Sequence, residues 1–218
     1  MDESVKRAYR SPLRSAQAAA TRRSIVGAAA DLFVARGFAA TSVDAIAASA
    51  GVSRKTVFTA VGGKAELLTL ALEWAVAGDD APVPLTERAE MIELLALQDP
   101  RAILHHWAHV LTDIDSRVAE LFVVLENAAS VDDAAQALFD QMADQRRAGA
   151  RAVVAAVGAA GGLRDQLSRS EAVDLAALFT EPLLYTRLVS HRGWSRRSFE
   201  AWLAATLCDQ LLVRSDSR

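Results

Sequence analysis

Cysteine is almost absent from this chain of 218 residues, and long hydrophobic runs are absent too. Cys208 is the only cysteine, so no disulfide can form within the chain, and a buried, unreactive thiol is favoured over a redox sensor. No apolar run approaches the roughly 18 to 20 residues that a membrane span needs, and the N-terminal segment has no signal-peptide core. We therefore expect a soluble, cytoplasmic protein without a membrane partner.

Motifs of catalysis and cofactor binding are also missing. The chain has no Gly-x-Ser-x-Gly elbow, phosphate-binding loop, dinucleotide fingerprint or cysteine-rich metal site. His105, His109 and Asp113 follow each other at four-residue intervals, as helical metal ligands can. Both histidines project away from the apolar face of their predicted helix, which favours a solvated surface. We expect no enzyme activity, no cofactor and no metal.

Charge is distributed unevenly along the chain. Residues 1–64 contain ten Lys and Arg against four Asp and Glu, a net charge of +6, whereas the whole chain carries −3 and residues 65–218 therefore −9. A basic head on an acidic body predicts that one end binds a polyanion. The basic N-terminal arm, residues 1–20, is consistent both with a minor-groove reader and with a solvated or flexible tail.

Residues 41–67 have the pattern of two short helices joined by a glycine turn. Thr41 and Asp44 form a capping-box pattern that starts the first helix. Gly51 tolerates the positive φ of a tight turn, and the Ser53 hydroxyl can cap the second helix. The pattern predicts a helix-turn-helix whose second helix faces DNA.

Residues 22–70 resemble the DNA-binding domain of the TetR family of one-component transcriptional regulators. The matching residues are Ala28, Ala29, Leu32, Phe33, Gly37, Phe38, Thr41, Ser42, Ile46, Ala47, Ala50, Gly51, Val52, Ser53, Thr56, Phe58, Lys64, Leu67 and Leu68. Phe58 and Ala60 depart from the family, which often has tyrosine and histidine there as phosphate anchors. Lys55 could restore one phosphate contact or read a guanine edge instead. The candidate DNA-binding residues are Thr41, Ser42, Ser53, Arg54, Lys55, Thr56, Phe58, Thr59 and Lys64.

The remainder of the chain carries repeated helix-start signals and no strand pattern. The signals lie at Thr86, at Asp99 and Pro100, at Ser130 with Asp133, at Ser168 with Glu171, and at Ser195. They predict an all-α protein of about nine or ten helices. We expect a three-helix DNA-binding domain over residues 21–77, a boundary in the loop 78–84, and a larger helical effector-binding and dimerisation domain over residues 85–218.

Apolar residues recur at helical spacing in the last two predicted helices. Such a pair of helices from each of two subunits can form a four-helix bundle, although the same residues can also pack on their own core. The resemblance favours a homodimer, and two-fold symmetry then predicts an inverted-repeat DNA operator. The candidate interface residues are Leu175, Phe179, Leu183, Trp202, Leu203, Thr206 and Gln210.

The middle helices contain the candidates for a site that binds a small-molecule effector of unknown identity. Glu126 falls on an otherwise apolar helix face, where it needs a partner. It either pairs with Arg146 or Arg151 of the neighbouring helix or reads a cationic ligand. The candidate lining residues are His106, Trp107, Phe122, Glu126, Phe139, Met142 and Phe179, although aromatic residues at this spacing are also typical of plain core.

These patterns lead to one expected function and one alternative. We expect a sequence-specific DNA-binding transcriptional regulator, a ligand-responsive repressor that binds its operator as a homodimer. The alternative is a helical small-molecule-binding or interaction protein whose DNA-binding head is degenerate, because Phe58 and Ala60 lack the usual phosphate anchors.

Overall fold

The computed structural model describes residues 12–213, and within that range every regular element is helical apart from one isolated β-bridge between Leu163 and Leu212. The predicted all-α fold is confirmed. The helices are α1 (Pro12–Arg36), α2 (Val43–Ser49), α3 (Arg54–Ala60), α4 (Lys64–Ala77), α5 (Ala89–Ala96), α6 (Pro100–Ala129), α7 (Asp133–Ala159), α8 (Arg169–Leu178), α9 (Pro182–Tyr185) and α10 (Arg196–Leu211), with a 3-10 turn at Leu85–Glu87 and a π-helical turn at Thr186–Ser190. No helix within residues 12–213 is both long and apolar enough to cross a lipid bilayer.

The chain divides into two compact units, Met1–Ala71 and Leu72–Arg218, so the division falls inside α4. The sequence placed the boundary in the loop 78–84, which follows the end of that helix. Of the predicted basic arm, residues 12–20 form the first part of α1, and residues 1–11 lie outside the described range.

The first unit is built around the side chains that α1, α2 and α3 bury together. Ile25, Ala29 and Phe33 follow each other at four-residue spacing on α1 and are fully buried. The Phe33 ring lies 5.6 Å from the Phe38 ring in the connection to α2. This core fixes the position of α2 and α3, which carry the predicted DNA-binding residues.

In the second unit, the 30-residue α6 packs against α7, α9 and α10. Three of the predicted helix starts are confirmed: Asp99 caps α6 with Pro100 in its first turn, Ser168 and Glu171 form a reciprocal capping box at α8, and Ser195 caps α10.

Two predicted helix starts are shifted. Ser130 does not cap α7, because its hydroxyl donates to the Asn127 carbonyl at the end of α6, and Asp132 caps α7 instead. The start predicted at Thr86 is a 3-10 turn, and α5 begins at Ala89.

Cys208 lies on the buried face of α10, as the sequence predicted, and burial raises the pKa of its thiol.

Candidate DNA-binding surface and effector site

Two serine caps and one glycine define the helix-turn-helix. The Ser42 hydroxyl accepts a hydrogen bond from the Ala45 N–H and begins α2, and the Ser53 hydroxyl accepts one from the Thr56 N–H and begins α3, both at 3.1 Å. Between the two helices Gly51 has φ of +68°, a conformation that side chains disfavour. The predicted helix-turn-helix is therefore confirmed.

Thr41 does not cap α2, and this part of the sequence prediction is wrong. Its side chain is only 1% exposed, and its hydroxyl lies 2.8 Å from the Gly37 carbonyl and 3.1 Å from the Leu32 carbonyl. The hydroxyl thus holds the connection between α1 and α2, because it faces carbonyls at the end of α1. A buried hydroxyl cannot contact DNA, so Thr41 leaves the set of candidates, and the exposed Ser42 takes the capping role.

The outer face of α3 carries one unpaired cation. Lys55 is exposed and makes no ion pair with any residue in the described range, whereas Arg54 forms a 2.5 Å ion pair with Asp44 of α2. The Arg54 guanidinium also lies 5.4 Å from the centre of the exposed Phe58 ring. Lys55 is therefore free to meet DNA, while Arg54 would have to exchange Asp44 for a phosphate.

The remaining polar candidates on α3 are half-buried or exposed. The Thr56 hydroxyl lies 2.8 Å from the Ser53 hydroxyl, so the two share one hydrogen bond at the helix start. The exposed Thr59 donates to the Lys55 carbonyl one turn earlier. Val57 is the only fully buried residue of α3, which leaves most of this helix surface open.

Lys64, a candidate DNA-binding residue at the start of α4, also has a structural role. Its Nζ donates to the Phe38 carbonyl at 2.9 Å and lies 4.2 Å from the centre of the Phe38 ring. An ammonium has three donors, so donor capacity remains for a phosphate after these two contacts with Phe38. The Gly63 N–H donates to the Glu66 carboxylate at 3.0 Å, so Glu66 in the first turn of α4 caps the start of this helix.

In the second unit, the predicted burial of Glu126 is wrong. Its side chain is exposed, because the buried arc of α6 near its end is formed by Leu121, Leu125 and Ala128, and position 126 falls outside that arc. Neither predicted pairing is seen, since Arg146 bonds to Glu181.

The structure does not gather the remaining predicted effector residues into one site. Trp107 belongs to the main hydrophobic core, the His106 ring lies 4.0 Å from the Glu90 carboxylate, and Phe179 packs edge-on against Trp202. Phe122 and Phe139 do meet, with ring centres 5.6 Å apart, and Met142 is buried one turn further along α7. These three lie where α6 and α7 face each other.

A partly buried polar cluster, which sequence reasoning missed, lies beside those three residues. We call it the Asp115–Arg146 cluster; it consists of Asp115 on α6, Arg146 on α7, Glu181 before α9 and the Phe122 ring. Arg146 Nη2 donates to both Glu181 carboxylate oxygens at 3.1 and 3.2 Å, and its guanidinium lies 4.8 Å from the centre of the Phe122 ring. Asp115 is 2% exposed, and burial raises its pKa to about 8, with Arg146 lowering it and Glu181 raising it.

The sequence contained a signal for this cluster. Asp115 lies between Leu111 and Val118 on the apolar stripe of α6, the same kind of position that drew attention to Glu126. Periodicity identified the helix and its stripe, but packing decided which acidic residue the neighbouring helices cover.

The second polar network of this unit joins α6 to the end of α4. Arg117 donates from Nε to the Ala75 carbonyl at 2.8 Å and from Nη2 to the Val76 carbonyl at 3.1 Å. Asp113 bonds to Arg117 and also accepts from Arg196 of α10 at 2.6 Å. Val76, Asp113 and Arg117 of this network line part of a cavity of about 260 Å³ between the end of α4, α5 and α6.

The predicted dimer residues differ in their exposure. Leu203 is fully buried in the core of its own subunit, so its assignment to an interface is wrong. Gln210 is exposed, and five others are half-buried: Leu175, Phe179, Leu183, Trp202 and Thr206. Sequence reasoning missed Leu178 at the end of α8, which is 62% exposed.

A head with a helix-turn-helix and a larger all-helical unit is the architecture of a DNA-binding transcriptional regulator. Residues 25–71 match the family model described as bacterial regulatory proteins, tetR family. No curated protein matches the chain by sequence. The match covers the helix-turn-helix unit, whose sequence pattern is therefore that of the TetR family of transcriptional regulators.

Solved structures share the fold at low sequence identity. A predicted transcriptional regulator from Saccharomonospora viridis in complex with choline has a TM-score of 0.66 at 19% identity, over 90% of this chain and 100% of that one. NalD, the secondary repressor of the MexAB-OprM multidrug efflux pump in Pseudomonas aeruginosa, has a TM-score of 0.67 at 18% identity, over 91% and 100%. A predicted fatty acid metabolism regulator from Clostridium perfringens has a TM-score of 0.66 at 14% identity, over 88% and 100%.

Proposed function

We propose that this protein is a ligand-responsive transcriptional repressor that binds an inverted-repeat DNA operator as a homodimer in the cytoplasm. The observation that carries the proposal is the outer face of α3, where Lys55 stands exposed and unpaired, within the described range, on a well-capped helix-turn-helix. Phosphate contacts position such a helix, and side chains at its N-terminal end contact base edges. The proposal assigns no catalytic step to the chain.

Dimerisation is proposed to involve α8 and α10. Leu178 is a large apolar side chain open to solvent, and Trp202 and Thr206 of α10 are half-buried. Exposed apolar side chains are explained if a second copy covers them. A two-fold dimer then presents two recognition helices to half-sites about one helical turn, or 10 base pairs, apart, or more widely spaced if two dimers bind.

The proposed response to an effector is a shift between two conformations of the dimer. An effector bound in the second unit lowers operator affinity if it prefers the conformation in which the heads are out of register. In the structure α6 holds the last carbonyls of α4 through Arg117, and α4 also carries Lys64 at its other end. We propose that a displacement of α6 reaches the head through this helix.

Binding to DNA tests the first part of the proposal. The full-length protein would be titrated into labelled duplex from immediately upstream of its own coding region, with random duplex as competitor, and fluorescence anisotropy followed over a salt series. Binding that resists the competitor and weakens with a slope near −0.9 per phosphate neutralised is expected. Weak, non-selective binding at every salt concentration would instead favour the small-molecule-binding protein with a degenerate head.

Two substitutions separate base reading from phosphate contact. Lys64→Ala is expected to weaken binding to all operator variants about equally, whereas Lys55→Ala changes the preference among variants as well as the affinity. Arg151→Ala, on the exposed face of α7, removes the same charge from the second unit and serves as the matched control. Equal losses for both lysine variants on every operator would contradict base reading by Lys55.

A further inference from the structure

Three polar atoms of the Asp115–Arg146 cluster are buried without a hydrogen-bond partner in the described part of the chain. They are Oδ2 of Asp115 and both Nε and Nη1 of Arg146. Buried polar groups in folded proteins are nearly always paired, since an unpaired one loses its hydration without compensation. No hydrogen bond or ion pair within residues 12–213 joins the two side chains, although their charges interact. A polar group from outside the chain would supply the hydrogen-bond partners that these three atoms lack.

The cluster lies at one end of an apolar track between α6 and α7. On α6, Asp115, Ala119 and Phe122 share a face at spacings of four and three residues. One face of α7 likewise carries Phe139, Met142 and Arg146, at spacings of three and four residues. The Phe122 ring of α6 contacts the Phe139 ring of α7. The two helices follow each other through a short connection, so charged side chains meet at one end of the track and aromatic rings at the other. This polarity fits an amphiphile with one polar end.

The hydrogen-bond partners that the cluster lacks favour a ligand whose polar end is anionic over one whose polar end is cationic. Nε and Nη1 of Arg146 carry three N–H donors, and the protonated form of Asp115 adds an O–H donor, so acceptors are what the cluster needs. The face of Phe122 that could hold a cation is already covered by the Arg146 guanidinium. A dianion such as phosphate would be repelled more strongly than a monoanion by the Glu181 carboxylate, which is bonded to Arg146, and this favours a single negative charge.

We propose that the Asp115–Arg146 cluster binds the carboxylate of an apolar monocarboxylic acid whose body lies along Phe122, Phe139 and Met142, and that this acid is the effector. The proposal rests on the proposed function, because only a ligand-responsive regulator requires an effector site. Arg146 supplies the charge-assisted hydrogen bonds, the protonated carboxyl group of Asp115 donates a hydrogen bond to the same carboxylate, and Glu181 fixes the guanidinium.

Titration calorimetry and thermal shift with the full-length protein test the head group. The probes are sodium octanoate and sodium phenylacetate, extended to straight-chain carboxylates of other lengths, with octan-1-ol and octyltrimethylammonium as neutral and cationic counterparts. We expect at least one carboxylate to bind and raise the Tm, while its alcohol and ammonium counterparts bind about tenfold or more weakly. Absence of binding across the carboxylate series, or tighter binding of the ammonium compound, would overturn the proposal.

Substitutions locate the site. Arg146→Gln is expected to weaken carboxylate binding by about tenfold or more, because the ionic hydrogen bonds are lost. Arg147→Gln is the matched control: it is the next residue of α7, it is more exposed, and its partner is Asp174. Circular dichroism checks that each variant is folded, and Arg146→Lys, which keeps the charge, is expected to retain part of the affinity. Equal affinity in wild type and in both Arg146 variants places the ligand elsewhere and refutes the proposal.

The pH dependence gives a second readout that a purely structural role would not alter. The charged groups that act on Asp115 are Arg146 of α7 and Glu181 before α9. Because the protonated form donates to the ligand, carboxylate affinity is expected to fall several-fold, roughly, between pH 7 and pH 9 in the wild type. Asp115→Asn keeps a neutral donor and should bind with little pH dependence; a fall identical to that of the wild type would contradict the role of Asp115.

The operator measurement separates the two proposals. If the protein binds its operator specifically but no carboxylate binds or releases it, the effector assignment fails while the regulator stands. If a carboxylate binds through Arg146 but the protein has no specific operator, the site stands as a binding site and the effector role fails.

Discussion

Replacement of Asp115 by asparagine is expected to change how protein stability depends on pH. Asp115 is 2% exposed, and its burial raises the pKa of its carboxyl from 3.8 to about 8. Well below pH 3.8 the carboxyl is protonated in both the folded and the unfolded chain, so its titration has no effect there. Between the two pKa values the unfolded chain has released the proton while the folded chain holds it, and the free energy of unfolding falls as pH rises.

The magnitude of this effect follows from proton linkage. When only the folded state holds the proton, the free energy of unfolding falls by about 1.4 kcal/mol for each unit by which the pH rises. From pH 5 to pH 7 the wild type should therefore lose about 2.7 kcal/mol relative to Asp115→Asn, whose amide does not titrate. Above about pH 8 the carboxyl ionises in the folded chain as well, and the difference stops growing.

Urea unfolding at a series of pH values from 4 to 9 measures this difference. Asp144→Asn, the same substitution at an exposed position of α7, is the matched control and should parallel the wild type. A constant offset between Asp115→Asn and the wild type is allowed, because it does not depend on pH. Parallel curves for Asp115→Asn and the wild type over the whole range would refute the buried, protonated carboxyl.

Three further substitutions test other parts of the structure. Arg117→Ala removes two charge-assisted hydrogen bonds to the end of α4, so urea unfolding should show a loss of about 2 kcal/mol or more; an unchanged midpoint would contradict the contact. Ser168→Ala removes the reciprocal capping box of α8, and the same assay should show a loss of about 1 kcal/mol, with no loss arguing against the cap. Leu178→Glu should shift the protein from dimer to monomer in sedimentation velocity, whereas Val131→Glu, at a position 77% exposed in the loop after α6, should not; a dimer in both variants would argue against an interface at α8.

Features that depend on neighbours in the sequence could be predicted well. Ser53 caps α3, Gly51 makes the turn with positive φ, and Ser168 with Glu171 caps α8, all as the sequence indicated. Each of these signals acts over three or four residues, where the backbone geometry of a helix end leaves few alternatives. Because several such signals recurred at the spacing of a known family, the class of protein could also be recognised.

The sequence was a poorer guide to which of two adjacent residues has a given structural role. Both Thr41 and Ser42 can cap a helix, and the sequence favoured Thr41, which is wrong. The Thr41 hydroxyl instead donates to carbonyls at the end of α1, a contact that the local sequence does not reveal. In the same way Leu203 and Trp202 lie side by side on α10, but only the tertiary structure shows that the first is covered by its own subunit. Helical periodicity cannot separate a core face from an interface face.

The sequence by itself determined the helices, the helix-turn-helix and the basic charge of the head, since local hydrogen bonding and side-chain periodicity specify them. Only the tertiary structure decided which polar side chains are enclosed: α6 buries Asp115 and leaves Glu126 in solvent, although both follow apolar neighbours in the sequence. Burial depends on what α7 and α9 cover, and those contacts join residues far apart along the chain. The candidate effector site was therefore visible only after the helices had been packed together.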